Sequence, residues 1–295
     1  MRPQPLFLPL VLCVLAACHG PGRGPRHAEA ARPTLLDART FAEVDLHALA
    51  ADCATVEVTY VGERHEVGAD HAFEHELAEA LFAERSSLAI GLEMFQRPAQ
   101  PHLDDFVAGR IDEATMLERT DYEARWGHDY AGYRPVLELA RANGLPLVAL
   151  NARTEVSRAV ARGGLDSLAP ELRAEVPELD LGNAAHRAFV EEALRGHPGL
   201  TEEAIGRYYA AQVVWDETMG DTVATYVAQH PDRTLLVLAG AMHVAEGLGI
   251  PRTAARRGVN SRRIVVAMDA DGLSAERARN AEPRSGDYLY VAPLE

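Results

Sequence analysis

The sequence predicts an α/β protein: a three-layer sandwich with a mostly parallel central sheet, helices on both faces and helical insertions over one end. Short apolar runs alternate with amphipathic helical patterns, which is the rhythm of βαβ units. Four of those runs stop at a glycine, an amide or an ionisable side chain, as strands do when they feed a site at their carboxyl ends. With 295 residues, 47% of them apolar, the chain is long enough to bury a full core.

Taken in order, Arg2, the apolar stretch Leu6 to Ala17 and the run Leu15-Ala16-Ala17-Cys18 read as a bacterial lipoprotein signal. The stretch is shorter than the roughly 20 residues a spanning helix needs, and it ends in small residues before a cysteine. Residues 1–17 are therefore expected to be a cleaved signal peptide. Cys18 is expected to carry the lipid, residues 18–32 to form a flexible tether rich in Gly, Pro and Arg, and residues 33–295 to form the folded domain. Once Cys13 leaves with the signal and Cys18 is acylated, only Cys53 remains, which excludes an intramolecular disulfide and a thiolate metal cluster.

Strands are expected at Val56 to Gly62, Leu88 to Glu93, Pro146 to Asn151, Thr234 to Gly240 and Arg263 to Met268, with Tyr288 to Val291 as a late antiparallel edge. Helices fit Ala69 to Glu84, Tyr133 to Asn143 (closed by Gly144), Ala184 to Arg195 and Glu202 to Gln229. Polar helical segments between Pro101 and Tyr130, and between Arg153 and Gly199, read as the insertions.

The strand ends deliver Glu63 and His65, Glu93, Asn151 with Arg153, and His243 to one rim. On the long helix, Ile205, Tyr209, Met219 and Val223 share a stripe that also contains Gln212 and Asp216. A carboxylate so placed needs a partner, and Arg153 and the rim histidines are candidates. His71 and His75 face away from Phe73, Leu77 and Leu81. Their face is either solvated, a ligand face, or covered by an insertion or by a second subunit of a homodimer.

Three chemistries remain open. Glu63, His65, Glu93 and His243 have the residue types of a divalent-metal site and equally of general acid–base catalysis in a hydrolase. Haem binding would draw an axial ligand from Tyr133, Tyr130 or His128, or from Tyr208 and Tyr209. The formal charge of -15 leaves no basic patch for nucleic acid. Gly-rich phosphate loops and Gly-x-Ser-x-Gly elbows are missing from the sequence.

In chain order, the motifs are Tyr60-Val61-Gly62-Glu63-Arg64-His65, His71, Gly91-Leu92-Glu93-Met94-Phe95, Gln100, Tyr133-Arg134-Pro135 and Ala149-Leu150-Asn151. Gln212, Trp215-Asp216, Met219, Ala239-Gly240-Ala241-Met242-His243 and Gly249-Ile250-Pro251 complete the series. It resembles the ChaN-like haem-binding lipoproteins of the Tiki superfamily, relatives of erythromycin esterases and Tiki proteases. The resemblance implies a haem-binding lipoprotein of haem or iron uptake, working beside an outer-membrane haem receptor. It places the Glu-x-His, the second-strand Glu and the late Gly-x-x-His of the hydrolase relatives at Glu63 with His65, at Glu93, and at Gly240 with His243. His19, rather than Asp, follows Cys18, and this favours the outer membrane.

Overall fold

The computed structural model describes residues 33–195, 200–279 and 284–294. The expected signal peptide, Cys18 and its tether lie outside the described residues. The strands are β1 (Thr34–Asp37), β2 (Val58–Glu63), β3 (Leu88–Gln96), β4 (Leu147–Asn151), β5 (Thr234–Gly240), β6 (Arg262–Met268) and β7 (Tyr288–Val291). Between them run α1 (Leu46–Cys53), α2 (Gly68–Glu84), α3 (Gln100–Val107), α4 (Glu113–Thr120), α5 (Tyr122–Arg125), α6 (Tyr130–Asn143) and α7 (Thr154–Gly163). The remaining helices are α8 (Pro170–Arg173), α9 (Ala184–Arg195), α10 (Glu202–Gln229), α11 (Ala241–Val244), α12 (Ile250–Arg256) and α13 (Ala270–Arg279).

The sheet has the order β1-β7-β6-β2-β5-β3-β4, and every pairing is parallel except β1 with β7. This is the expected α/β architecture, with one correction. Tyr288–Val291 is not the antiparallel edge: it runs parallel to β6, inside the sheet, and the antiparallel edge is β1. A strand of four residues is too short for its alternation to stand out in the sequence.

Strands β2, β3 and β5 are buried along their whole length, as strands covered on both faces must be. On one face Val61, Ile90, Leu92, Leu236 and Leu238 pack under α1, α2 and α3–α6; on the other, Tyr60, Ala89, Val237 and Ala239 pack against Met219 and Val223 of α10 and Ile250 and Ala254 of α12. The two insertions are helical, as expected. Helix α6 starts at Tyr130, three residues before the apolar period suggests, because the Asp129 carboxylate accepts the Ala131 N–H and caps it. Gly144 closes that helix in the left-handed conformation (φ 64°). Cys53 is fully buried at the end of α1, and burial pushes its thiol up to about 11, so it is an inert packing residue. Among the described residues no helix is long and apolar enough to cross a membrane.

Candidate functional site

Register brings the site together. Glu63 pairs with Gly240 across β2 and β5, while Leu92 pairs with Leu238, so Glu93 ends level with them on β3. The Gly240 N–H donates to Glu93 Oε2 at 2.7 Å, tying the two strand ends. Side chains alternate along a strand, so Glu63 shares the face of Val61 toward α2 and α6, and Glu93 points to the α10 side.

Around Glu63, Oε1 accepts from Tyr133 Oη at 2.6 Å and lies 2.6 Å from His65 Nδ1. His71 Nε2 is 3.3 Å from Oε2. His71 is buried, because α6 crosses it at Gly132 and sets the Tyr133 ring, tilted by 47°, 4.4 Å away; His75, one turn on, stays a surface residue beside Glu79. Of the three readings of that helix face, the covered one holds for His71, and α6 is the cover. The fully buried Glu74 sits beside the same carboxylate.

On the other side, His243 is held between two acids: Nε2 is 3.1 Å from Glu93 Oε1 and Nδ1 is 2.6 Å from Asp216 Oδ1. The Gln212 amide lies 2.9 Å from the same Nδ1, and Asp216 Oδ2 is 3.1 Å from His186 Nε2. Both Asp216 and Gln212 are buried as their stripe requires. The partners of Asp216 are His243 and His186, and not Arg153, whose guanidinium is at the surface with Glu155 and Glu175.

Electrostatics follow from this geometry. Burial opposes every charge here, yet the histidines hold Glu63, Glu93 and Asp216 below the usual carboxylate range. Against the same burial penalty, Glu93 and Asp216 lift His243 to about 10, and Glu63 raises His65. Burial first, then the charge of Glu63, raises Glu74 well above the ordinary range, so it is a neutral acid. Burial and Glu63 likewise keep Tyr133 a phenol.

The family profile described as "Haem-binding uptake, Tiki superfamily, ChaN" matches residues 49–253. The chain belongs to the ChaN-like haem-binding family. Its fold is similar to that in "Cofacial heme binding to ChaN of Campylobacter jejuni", with TM-score 0.70 and 15% identity over 88% of this chain and 96% of that one. It is also similar to the erythromycin esterase EreC, with TM-score 0.48 and 15% identity over 80% of this chain and 76% of that one. A curated relative, "Protein RETICULATA-RELATED 5, chloroplastic" of Arabidopsis thaliana, is 26% identical over 253 residues. The match takes in 80% of this chain, which spans about a third (34%) of that relative.

In this ChaN-like chain Glu63, His65, His71, Tyr133, Glu93, Gln212, Asp216 and His243 converge. Asn151 stands beside them in a bracing role: its Nδ2 donates to the Glu93 carbonyl and its Oδ1 accepts from the Ala152 N–H. Tyr130 points elsewhere, donating to Glu113 at 3.3 Å with Arg134 over its ring, and Tyr209 is buried with its hydroxyl toward the Asn183 carbonyl. His128 and Trp126 sit at the mouth, their rings 4.9 and 4.8 Å from that of His65. Sequence reasoning missed His186 and Glu74. His186 heads the buried stripe of Val190 and Leu194 on α9, a signal that helical periodicity carries.

Among the described residues no three His, Cys, Asp or Glu side chains are placed to share an ion. The reason is pairing: both His243 nitrogens meet carboxylates, and Glu63 Oε1 is already taken by two partners.

Proposed function

We propose that this chain binds haem at the rim formed by His65, Trp126 and His128, as an exported protein of the bacterial cell envelope that serves haem or iron uptake. The observation that carries this reading, beside family membership, is the ring cluster at the mouth of the site: three aromatic side chains within 4.8 to 5.3 Å of one another, with His65 a quarter exposed. The solved relative is named for cofacial haem binding. The rings of Trp126, His65 and His128 would offer a haem macrocycle apolar surface at that rim. Two copies meeting there would form a homodimer. The Leu-Ala-Ala-Cys run and His19 support acylation of Cys18 and anchoring in the outer membrane, next to an outer-membrane haem receptor.

Haemin titration of the full chain in detergent, read by visible absorption, tests the ligand; a saturable new spectrum is expected, and a spectrum that stays that of free haemin refutes it. Replacing Cys18 by Ala should release the chain from the envelope fraction. A second reading, acid–base hydrolysis of an ester or peptide, is favoured by the Glu63–His65 pair at 2.6 Å, a base oriented by a carboxylate. Under that reading Glu63→Gln abolishes ester hydrolysis; wild-type protein inert toward ester and peptide panels removes it.

A further inference from the structure

Past the ends of β3 and β4, at the edge of the sheet, lies a cavity that shares no residue with the cluster of Glu63, Glu93 and His243. Gln96 pairs with Asn151 as the last rung of those two strands, and the chain then turns into Arg97 and Pro98 on one side and Ala152 and Arg153 on the other. The cavity between these turns holds about 450 Å³ and is closed by Val156 of α7, Val176 after α8 and Thr218 of α10. That volume is in the range of small-ligand sites.

Its lining is built for an amphipathic anion. Ala152, Val156 and Val176 are buried and form an apolar wall. Thr218 is 2% exposed, yet its hydroxyl has no hydrogen-bond partner among the described residues, a costly arrangement unless something enters the cavity to supply one. Arg97 donates from Nε to Thr222 and from Nη2 to Asp221 and the Thr218 carbonyl, each at 2.7 Å, and its Nη1 donates to no described residue. Arg153 meets Glu175 at 3.1 Å through Nη1 and Glu155 at 3.5 Å through Nε, while its Nη2 is likewise unspent. These carboxylates are shared: Asp221 also faces Arg257, and Glu155 also faces Arg125. Helix α7 begins at Arg153 with no side chain capping that end, so its dipole adds to the positive field, offset only by Glu155 in the first turn.

Glu175 shows what the cavity accepts. It lines the cavity and rests on Arg153, but its side chain is 42% exposed, and an ion pair so open to water is weak and exchangeable. An incoming carboxylate can take Arg153 with two parallel N–H···O bonds, as a planar guanidinium favours, and release Glu175 to solvent.

We propose that this cavity is a second binding site, for a small aliphatic carboxylic acid that carries a hydroxyl group. The carboxylate lies on Arg153 and Arg97 Nη1, the aliphatic part covers Val156 and Val176, and the ligand's hydroxyl pairs with that of Thr218. Glu175 competes with the ligand for Arg153. The site is independent of the haem reading.

Titration of the full chain with β-hydroxybutyrate, followed by saturation-transfer NMR, tests it, with butyrate and sec-butanol as probes that each lack one polar group. β-Hydroxybutyrate is expected to saturate, butyrate to bind several-fold more weakly and sec-butanol not at all. Arg153→Met should weaken β-hydroxybutyrate about tenfold, as loss of a charge-assisted pair does. Glu175→Gln should tighten it several-fold, a gain that misfolding cannot produce. Thr218→Val, which keeps the side chain's shape, should bring β-hydroxybutyrate down to the affinity of butyrate. Saturating β-hydroxybutyrate should leave the haemin titration unchanged. The proposal falls if β-hydroxybutyrate fails to saturate, if Arg153→Met and Glu175→Gln both bind it as wild type does, or if it competes with haemin, which would make the cavity part of the rim.

Discussion

Replacing Asp216 by Asn should destabilise the protein by about 2 to 3 kcal/mol at pH 7, and the magnitude follows from the surroundings of His243. Its ring lies 2.6 Å from Asp216 and 3.1 Å from Glu93. At an effective dielectric of about 20, each such contact contributes about 5 to 6 kcal/mol before the cost of burying the charges. What survives that cost is visible in the pKa of the ring, lifted from 6.5 to about 10, which corresponds to about 5 kcal/mol. The two carboxylates act comparably, so removing the charge of Asp216 forfeits roughly half. A pKa raised by folding gives stability that is complete below pH 6.5 and is lost as pH rises through 10. In the variant the folded pKa drops, so the loss, which begins at the unfolded value in both proteins, is complete about two pH units earlier. Urea denaturation at pH 7, 8 and 9 measures both effects. Equal midpoints at pH 7, or an identical fall with pH in the two proteins, would refute this account of the buried triad.

Glu74 carries the opposite sign. Burial and the charge of Glu63 raise its pKa, so it costs stability increasingly as pH climbs above the unfolded value of about 4.3. Glu74→Gln should therefore be more stable than wild type by about 1 kcal/mol at pH 8 and no more stable at pH 4; a variant weaker at pH 8 excludes a neutral Glu74. Gly132→Ala should lose about 1 to 3 kcal/mol through overpacking, since its Cβ would meet the His71 ring at 2.0 Å. Thermal unfolding of Gly132→Ala combined with His71→Ala should recover most of that loss if this contact is the cause. Glu217 is buried between Arg256 and Arg257, each 2.6 Å away. Glu217→Gln is expected to cost about 3 kcal/mol in chemical denaturation, and a loss below about 1 kcal/mol would make those pairs dispensable.

Periodicity counts apolar residues, so a polar side chain reads as buried only when apolar neighbours share its stripe. Asp216 and Gln212 have such neighbours in Tyr209 and Met219, and both are buried in α10. Glu63, Glu93 and His243 are legible for another reason: each lies at or just past the end of an apolar run, and parallel strands present those ends together. Glu74 stands one and two turns before Leu77 and Leu81, but the polar residues around it, Asp70 and His71, break that stripe, and His71 packs against α6 at Gly132. The docking of α2 on α6 is a long-range contact that no local pattern encodes.

The tyrosines show the same limit at finer scale. Tyr130 and Tyr133 stand three residues apart on one helix, about 4.5 Å along its axis at 1.5 Å per residue, and motif position treats them as equivalent. Packing does not. That short rise carries Tyr133 under the end of β2, onto a carboxylate 70 residues earlier in the chain, while Tyr130 meets Glu113 of the neighbouring insertion. In both cases the acceptor is an anion, and an anion facing the hydroxyl favours phenol over phenolate. Nearness of a tyrosine to a motif therefore says little about iron. What decides is the partner the fold gives each hydroxyl, and for both tyrosines that partner is a carboxylate.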